Sequence, residues 1–266
     1  MTKAKKGASY LYLGLVFLFL YAPILVLIFL SFNNSMSRTV WGGFTFKWYL
    51  SLTSNDNIMS ALGTTIRITL ASSILATILG TSAAIGIHYM KKRHAALMLG
   101  ATNIPLLNAD IVTGISLMLL FTRFTPLGEF SVVLAHIAFS VPYVIFNVLP
   151  RLQSLSEACI EAALDLGATP TYAFYKVVWP EIFPGVLSGF LMALTMSLDD
   201  FTITYFTKGA GVNTLSTMLY TQLRKGIQPE LYALSTILFL LAFVLLLLMN
   251  FKKTSRRRLN NEKENN

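Results

Sequence analysis

The sequence predicts an all-α integral membrane protein with six transmembrane helices, and three observations lead to this class: the composition, the apolar runs and the placement of basic residues. Of the 266 residues, 55% are hydrophobic and only 12% are charged, and the mean hydropathy is +0.62. So little polar material cannot coat a soluble globule of this size. The apolar runs extend along most of the chain, so we expect one membrane domain over residues 1–254 and a polar cytoplasmic tail over residues 255–266.

Six apolar segments meet the roughly 20 residues that a helix needs to cross the hydrocarbon layer. The predicted spans are Tyr10–Phe32, Thr69–Met90, Ala95–Phe121, Ser131–Pro150, Ile182–Phe206 and Leu231–Phe251. The lysines before the first span also fit the start of a cleaved signal peptide. Its apolar run is too long for one and ends without a small-x-small site, so we expect an uncleaved span.

Lysine and arginine residues set the predicted orientation, because basic residues near span ends are retained in the cytoplasm. With the N-terminus inside, most of the 21 basic residues lie in cytoplasmic segments. Both termini are then cytoplasmic, and the protein is a multi-pass protein of the cell membrane. The net charge of +9 is explained by these flanks of the spans, and with no separate basic domain we expect no nucleic-acid partner.

Small residues crowd the second and fifth predicted spans. Gly80 to Gly86 in the second span and the GxxxG pair Gly185 and Gly189 in the fifth allow helices to approach closely in lipid. We interpret both faces as packing within the helix bundle. A contact face for a partner subunit is the alternative.

The polar loop of residues 151–184 is the most specific stretch of the chain. Residues 157–166 are rich in helix formers, Gly167 provides a helix stop, and Thr169-Pro170 can start a second short helix. Two short helices with a glycine elbow form a rigid knob that a soluble motor can grip. Helix chemistry alone fits equally well a solvated hairpin with an acidic stripe.

Three acidic residues lie inside apolar runs, where a charge costs at least about 2.5 kcal/mol on insertion scales. We interpret Asp199 and Asp200, in the fifth predicted span, as residues of a cation path, with a structural role as the alternative. For Asp110, in the third span, two interpretations stay open. It either contacts a cation, or Asn108 or Asp110 caps a helix that resumes at Ile111.

Aromatic residues accompany these acids and indicate the chemistry of the cation. Carboxylates interleaved with Phe201, Tyr205 and Tyr143 suit a flexible polyamine, whose ammonium groups need anions and aromatic faces. Tyr143 fits a core position equally well. The three histidines lack the spacing of a metal site, and we interpret them as structural or interfacial. We predict no catalytic residue, metal site or cofactor on this chain, because it has no nucleophile-base constellation and no phosphate-binding glycine loop.

The loop of residues 151–184 also resembles that of a known family. Five residues match its spacing: Glu161, Ala162, Ala163, Gly167 and Pro180. The family is the permease subunits of ATP-binding-cassette importers, whose pattern is Glu-Ala-Ala, three residues, Gly, nine residues, then Ile-x-Leu-Pro. Val177 and Trp179 stand where the pattern has Ile and Leu. The resemblance implies that this loop docks on a separate ATPase and that the five residues couple its movement to the spans.

Further strings resemble the polyamine branch, the permeases of spermidine/putrescine importers. These are Ser31-Phe32-Asn33-Asn34, Trp41-x-Gly43-Phe44-Thr45-x-x-Trp48-Tyr49, Asp110-Ile111-Val112, Ala163-x-Asp165-Leu166-Gly167-Ala168 and Ser197-x-Asp199-Asp200. The resemblance implies the six-helix fold of type I importer permeases. It also implies a homologous second permease, two ATPase subunits that hold ATP and Mg, and an extracellular or periplasmic polyamine-binding protein.

Two rival functions remain from the sequence. A related importer for another solute, such as ferric iron or thiamine, would carry the same loop. A channel or secondary transporter that works without ATP is the more distant alternative, and it predicts transport without an ATPase subunit.

Overall fold

The computed structural model describes residues 3–37, 39–225, 228–240 and 243, and most of these residues are helical. In chain order the helices are α1 (Lys3–Ser31), α2 (Lys47–Ser54), α3 (Asp56–Tyr89), α4 (Lys92–Leu107), α5 (Asp110–Phe121), α6 (Glu129–Gln153), α7 (Glu157–Asp165), α8 (Pro170–Ala173), a π-helical turn (Phe174–Val178), α9 (Trp179–Asp199), α10 (Thr202–Thr207), α11 (Leu215–Lys225) and α12 (Pro229–Leu240).

Four helical stretches in the described residues are long and apolar enough to cross a membrane. They lie within α1, within α3, within α6, and along the continuous stretch from α8 through α9. A fifth candidate is the pair α4 and α5, which bends by 105°. The sixth predicted span, Leu231–Phe251, is described as the apolar helix α12 up to Leu240, and the remainder lies almost wholly outside the described residues.

The chain separates into two compact units, one drawn from residues 1–59 and 221–266 and the other formed by residues 60–220. In the first unit, the side chain of Asn33 organises the loop after α1. It is 2% exposed, donates to the carbonyl of Val40 at 2.9 Å and accepts from the Gly42 N–H at 2.8 Å. The indole N–H of Trp48 donates to the Asn33 carbonyl at 2.7 Å. One membrane domain over residues 1–254 stays a prediction.

Helix α3 begins much earlier than the second predicted span, which started at Thr69. It starts at Asp56 and includes several threonines that interrupt the apolar run. Thr65 shows why these residues do not end the helix: its hydroxyl donates to the Ala61 carbonyl at 2.8 Å, one turn back. The first residue of the apolar run therefore does not mark the first residue of the helix.

The third predicted span is broken, at Asn108 and Ala109, whose backbones are extended. Pro105 lies inside α4, before the break. The predicted cap is not present: Ala109 occupies the N-cap position, and no side chain caps α5 there. Asp110 does not cap α5 because the helix begins at Asp110 itself, one residue earlier than predicted. Its carboxylate therefore lies in the first turn, near the positive end of the helix dipole.

The core of the second unit is the close contact between α6 and α9, and glycines make it possible. A Cβ atom added at Gly185 would lie 2.7 Å from the Asn147 carbonyl oxygen, and one at Gly189 would lie 3.1 Å from Val144 Cα. Gly80 of α3 meets the same part of α6, since an added Cβ would lie 2.6 Å from Val144 Cβ. Both small-residue faces therefore pack within the chain, as predicted.

The entry to α9 is wound as a π-helix. The Trp179 N–H donates to the Phe174 carbonyl, five residues back, as the π geometry requires. Pro180 explains the distortion, because it has no N–H for the Lys176 carbonyl and its ring crowds that carbonyl in a regular α-helix. The second short helix predicted after Pro170 thus does not end before the fifth span but runs continuously into it.

We expect Gly185→Ala to destabilise the protein, because a methyl group there must displace the backbone of α6. The free energy of unfolding should fall by about 1–3 kcal/mol, as for other overpacked cores. The thermal midpoint of the purified protein in detergent measures this change. Gly86→Ala is the matched control, because among the described residues no atom lies within 4 Å of its added Cβ. Equal midpoints for the two variants would contradict the packing contact.

Candidate functional site

The first candidate site is the exposed end of the loop of residues 151–184. Helix α7 carries Glu161 and Ala162 on its exposed surface, and Ala163 is half-buried. The main-chain direction reverses after α7 at Gly167, whose φ is +83°. An L-residue with a Cβ is strained at that angle, which accounts for glycine at this position.

The turn at Gly167 is a Schellman motif. The Gly167 N–H donates to the Leu164 carbonyl at 2.9 Å, and the Ala168 N–H donates to the Ala163 carbonyl at 3.1 Å. These two bonds satisfy carbonyls that the helix end would otherwise leave without partners. The predicted helix stop is confirmed, and the turn is held by backbone bonds that do not depend on any flexible side chain.

Beyond the turn, the hydroxyl oxygen of Thr169 caps α8 by accepting from the Tyr172 N–H at 3.3 Å. The start of a second helix at Thr169-Pro170 is thereby confirmed. The surface of the elbow is apolar: Leu166 is 89% exposed and Tyr172 is 57% exposed. Leu166 and Tyr172 thus place apolar surface on the exposed side of the turn.

Pro180, the last residue of the sequence pattern, lies away from the elbow, in the first turn of α9. It lines a shallow cavity together with Cys159 and Lys176. The pattern thus joins two structural elements: residues 161–172, which we call the α7 elbow, and the π-helical entry to α9.

The second candidate site is the break in the fifth span, where α9 ends at Asp199 and α10 begins at Thr202. Asp200 lies in this break and binds the start of α10. Its carboxylate accepts from the N–H groups of Ile203 at 3.2 Å and Thr204 at 2.7 Å, and from the Thr204 hydroxyl at 2.8 Å. Asp200 therefore satisfies the backbone donors that the new helix leaves open.

A buried histidine lies beside Asp200. His136 of α6 is 1% exposed, and its Nε2 lies 3.5 Å from Asp200 Oδ2. The sequence predicts a structural or interfacial position for His136, and in the structure its side chain is buried and hydrogen-bonded. The position of His136 inside an apolar run is the one sequence signal for its contact with Asp200, because ionisable residues are costly there.

The other two acids have different surroundings. Asp199 and Asp110 are both exposed in the isolated chain. Gly114, one turn after Asp110, packs against α10, where its added Cβ would lie 3.4 Å from Ile203 Cα and 3.2 Å from Phe206 Cδ2. Both breaks, before α5 and before α10, thus belong to one pair of packed helices.

Aromatic rings cluster at the same break. The ring centroid of Phe201 lies 5.4 Å from that of Tyr205 and 4.3 Å from that of Tyr220. Tyr205 is 48% exposed. Tyr220 of α11 was not foreseen, because nothing in the local sequence connects it with the fifth span. Tyr143, half-buried in α6, is not among the described residues whose rings contact Phe201.

No metal site is assembled by the described residues, since no group of three or more His, Cys, Asp or Glu side chains converges there. Lys208, just beyond the fifth span, donates to Asn213 Oδ1 at 3.1 Å, and partial burial lowers the pKa of its ammonium group. The site therefore offers carboxylates, hydroxyls and aromatic faces. These groups can attract and guide a cation.

The chain is similar to several known proteins. Residues 3–259 match the family described as binding-protein-dependent transport system inner membrane component. The putrescine transport system permease protein PotI of Escherichia coli K12 is 39% identical over 233 residues, which cover 84% of this chain and 82% of PotI. The spermidine/putrescine transport system permease protein PotC of the same organism is 33% identical, with 87% and 88% covered. These similarities confirm the resemblance drawn from the sequence strings.

A solved structure shares the fold. The crystal structure of a bacterial ABC transporter involved in the import of the acidic polysaccharide alginate aligns with a TM-score of 0.67 at 17% identity, and 94% of each chain is covered. At this identity the likeness extends to the fold alone.

We expect the two neighbouring acids of the break to differ in their effect on stability. Asp200→Ala removes three hydrogen bonds and leaves buried donors without a partner, so unfolding should become easier by about 1–3 kcal/mol. Asp199→Ala is the matched control and should leave the thermal midpoint unchanged, because its side chain is exposed. A larger loss of stability in Asp199→Ala would contradict the arrangement described above.

Proposed function

This chain belongs to the family of inner membrane components of binding-protein-dependent transport systems, and from that premise we propose that it is the permease subunit of an ATP-driven polyamine importer. One observation carries the choice of substrate class: the curated relatives PotI and PotC, similar over more than four fifths of this chain, are named as putrescine and spermidine/putrescine permeases. The acids and aromatic rings at the break in the fifth span support this choice, because polyamines carry several ammonium groups.

The proposed topology has six spans, with both termini in the cytoplasm. The four long apolar helical stretches, the bent pair of α4 and α5, and the apolar helix α12 supply one candidate for each span. The distribution of basic residues supports the orientation. In this topology the α7 elbow is cytoplasmic and the break at Asp200 lies towards the outer half of the membrane.

We propose the α7 elbow as the surface that docks on a partner ATPase, which supplies ATP and Mg. Glu161, Ala162, Ala163 and Gly167 would form the contact, and Pro180 would shape the connection to α9. The support is the exposed apolar surface at Leu166 and Tyr172, together with a turn fixed by backbone bonds. A fixed turn transmits the movement of a motor domain, whereas a flexible loop would absorb it.

The complete importer would contain a homologous second permease, two ATPase subunits and an extracellular or periplasmic polyamine-binding protein. In the proposed cycle, the loaded binding protein docks outside and ATP closes the ATPase dimer. The α7 elbow transmits this closure to the spans, which open the path outward, and hydrolysis resets the complex. The path must hold the polyamine only weakly, because a deep binding site would retain it.

Asp199 is the acid best suited to meet the polyamine. It is exposed at the break, and Phe201 and Tyr205 follow it within two turns. Asp110 begins α5, which packs against α10, and we propose it as a second contact on the path. Asp200 would contribute to the path indirectly, since its carboxylate is occupied by the start of α10. Tyr143 is retained as a weaker candidate on α6.

We expect Glu161→Lys to abolish polyamine uptake and to lower the ATPase activity of the complex to that of the free ATPase subunits. The charge reversal places a cation at the proposed docking surface. Uptake of radiolabelled spermidine into vesicles that hold the reconstituted complex, measured beside ATP hydrolysis, tests this. Asp56→Lys is the control, because it makes the same charge change on an exposed residue outside the loop of residues 151–184. Unchanged uptake in Glu161→Lys would favour an ATP-independent transporter.

We expect Asp199→Asn to reduce uptake at a saturating level of loaded binding protein by about fivefold or more, because the path loses a charge that attracts the ammonium groups. Basal ATP hydrolysis should survive, since the docking surface is unchanged. Asp56→Asn, an exposed acid at the start of α3, should retain full uptake. Full uptake in Asp199→Asn would reject this residue as part of the path. No spermidine uptake by the native complex would indicate another solute.

A further inference from the structure

We infer that His136 is a positioning residue that fixes the break in the fifth span and thereby sets the direction of Asp199. The inference rests on the proposed function, in which Asp199 meets the polyamine. It assigns different tasks to the two neighbouring acids: Asp200 belongs to the scaffold of the break, and Asp199 is available to the substrate.

His136 connects the two sides of the break. Its Nδ1 lies 2.7 Å from the hydroxyl oxygen of Ser197, in the last turn of α9, and its Nε2 lies 2.8 Å from the hydroxyl oxygen of Thr204, in α10. Both partners are buried, with exposed fractions of 3% and 0%. One imidazole ring on α6 therefore holds the end of one helix and the start of the next.

Hydrogen bonds connect these groups from Asp200 to Ser197. The Thr204 hydroxyl donates to the Asp200 carboxylate, so its oxygen is available to accept from His136 Nε2–H. The other ring nitrogen, Nδ1, is hydrogen-bonded to the Ser197 hydroxyl. The imidazole of His136 thus joins Ser197 to Asp200 through Thr204, and each of these side chains has a partner.

The contact extends to a third helix. The hydroxyl oxygens of Ser197 and Ser72 lie 3.1 Å apart, and the Ser197 hydroxyl lies 3.3 Å from that of Thr69. Ser72 and Thr69 belong to α3, so α3, α6 and α9 meet at this point. Satisfied polar groups in an apolar interior are strongly directional, and they specify one arrangement of the helices.

The backbone geometry links this set to Asp199. Asp200 has φ −63° and ψ 122°, an extended conformation directly after the last helical residue, Asp199. Its carbonyl is also held, by a bond of 2.7 Å from the Ser216 hydroxyl. When both ends of a break are held, the residue at its edge keeps one direction. Release of the His136 contact would let α10 shift relative to α9 and would turn Asp199 away from the path.

Helix breaks need such support in a membrane, where unsatisfied backbone groups have no water to bond. A histidine that only filled the core would stabilise the protein without any special relation to Asp199. The two roles differ in one measurable respect: a positioning residue acts through the residue that it positions, so its effect on transport disappears once that residue is changed.

The test is a double-mutant cycle on spermidine uptake per ATP hydrolysed, measured with the full complex in vesicles at saturating loaded binding protein. His136→Leu alone should lower this ratio about fivefold or more, as Asp199→Asn does. Added to Asp199→Asn, it should lower the ratio no further than about twofold. Thr204→Val, which keeps the side-chain shape, should behave like His136→Leu, and His136→Gln should recover part of the ratio, since an amide both donates and accepts.

Ser140→Ala is the control, because this buried hydroxyl, one turn along α6, has no hydrogen-bond partner among the described residues. It should leave the ratio unchanged. If His136→Leu fails to assemble, Thr204→Val and His136→Gln complete the same cycle. Losses that multiply in the double variant, or uptake and ATP hydrolysis that fall together, would overturn the inference alone. Absence of spermidine uptake by the native complex would overturn the proposed function and this inference with it.

Discussion

The absence of water from the hydrocarbon core is the constraint on which the structure depends, because every backbone N–H and C=O inside it must find a partner within the protein. Long helices meet this requirement with their own bonds. The break at Asp200 cannot do so, and there a buried carboxylate takes the N–H groups of Ile203 and Thr204. Because a charge in this environment also needs partners, His136 and the Thr204 hydroxyl accompany it. The polar set at the break is therefore a consequence of breaking a helix in lipid.

A second feature connects this break with the cytoplasmic elbow. From Pro170 to Asp199 the chain is one helical stretch of 30 residues, about 45 Å long at 1.5 Å per residue. It begins directly after the Schellman turn at Gly167 and ends at the proposed cation path. Close packing at Gly185 and Gly189, together with buried Val178, Ile182 and Ala193 of the same core, holds it against α6. In the proposed function, this helical stretch carries a displacement of the elbow towards Asp199.

Local chemistry explains what the sequence could predict. Gly167 predicts a helix stop, because few other residues adopt its positive φ. Thr169-Pro170 predicts a helix start. The small residues of α9 predict its close packing against another helix, which is α6. Helix starts within threonine-rich segments are harder to predict. The sequence places the start of α3 too late, because the Thr65 hydroxyl bonds to the Ala61 carbonyl of the same helix and so does not interrupt it. Contacts between distant residues gave no local signal. His136 lies 61 and 68 positions from its partners Ser197 and Thr204, and Tyr220 joins the aromatic cluster from another helix.

We propose that this chain couples ATP hydrolysis on a partner to the passage of a polyamine. The most direct measurement is the ATPase rate of the reconstituted complex when its binding protein is loaded with spermidine, compared with the same protein unloaded and with binding proteins loaded with thiamine or ferric iron. We expect stimulation by the spermidine-loaded protein alone. Stimulation by another solute, with none by spermidine or putrescine, would contradict it.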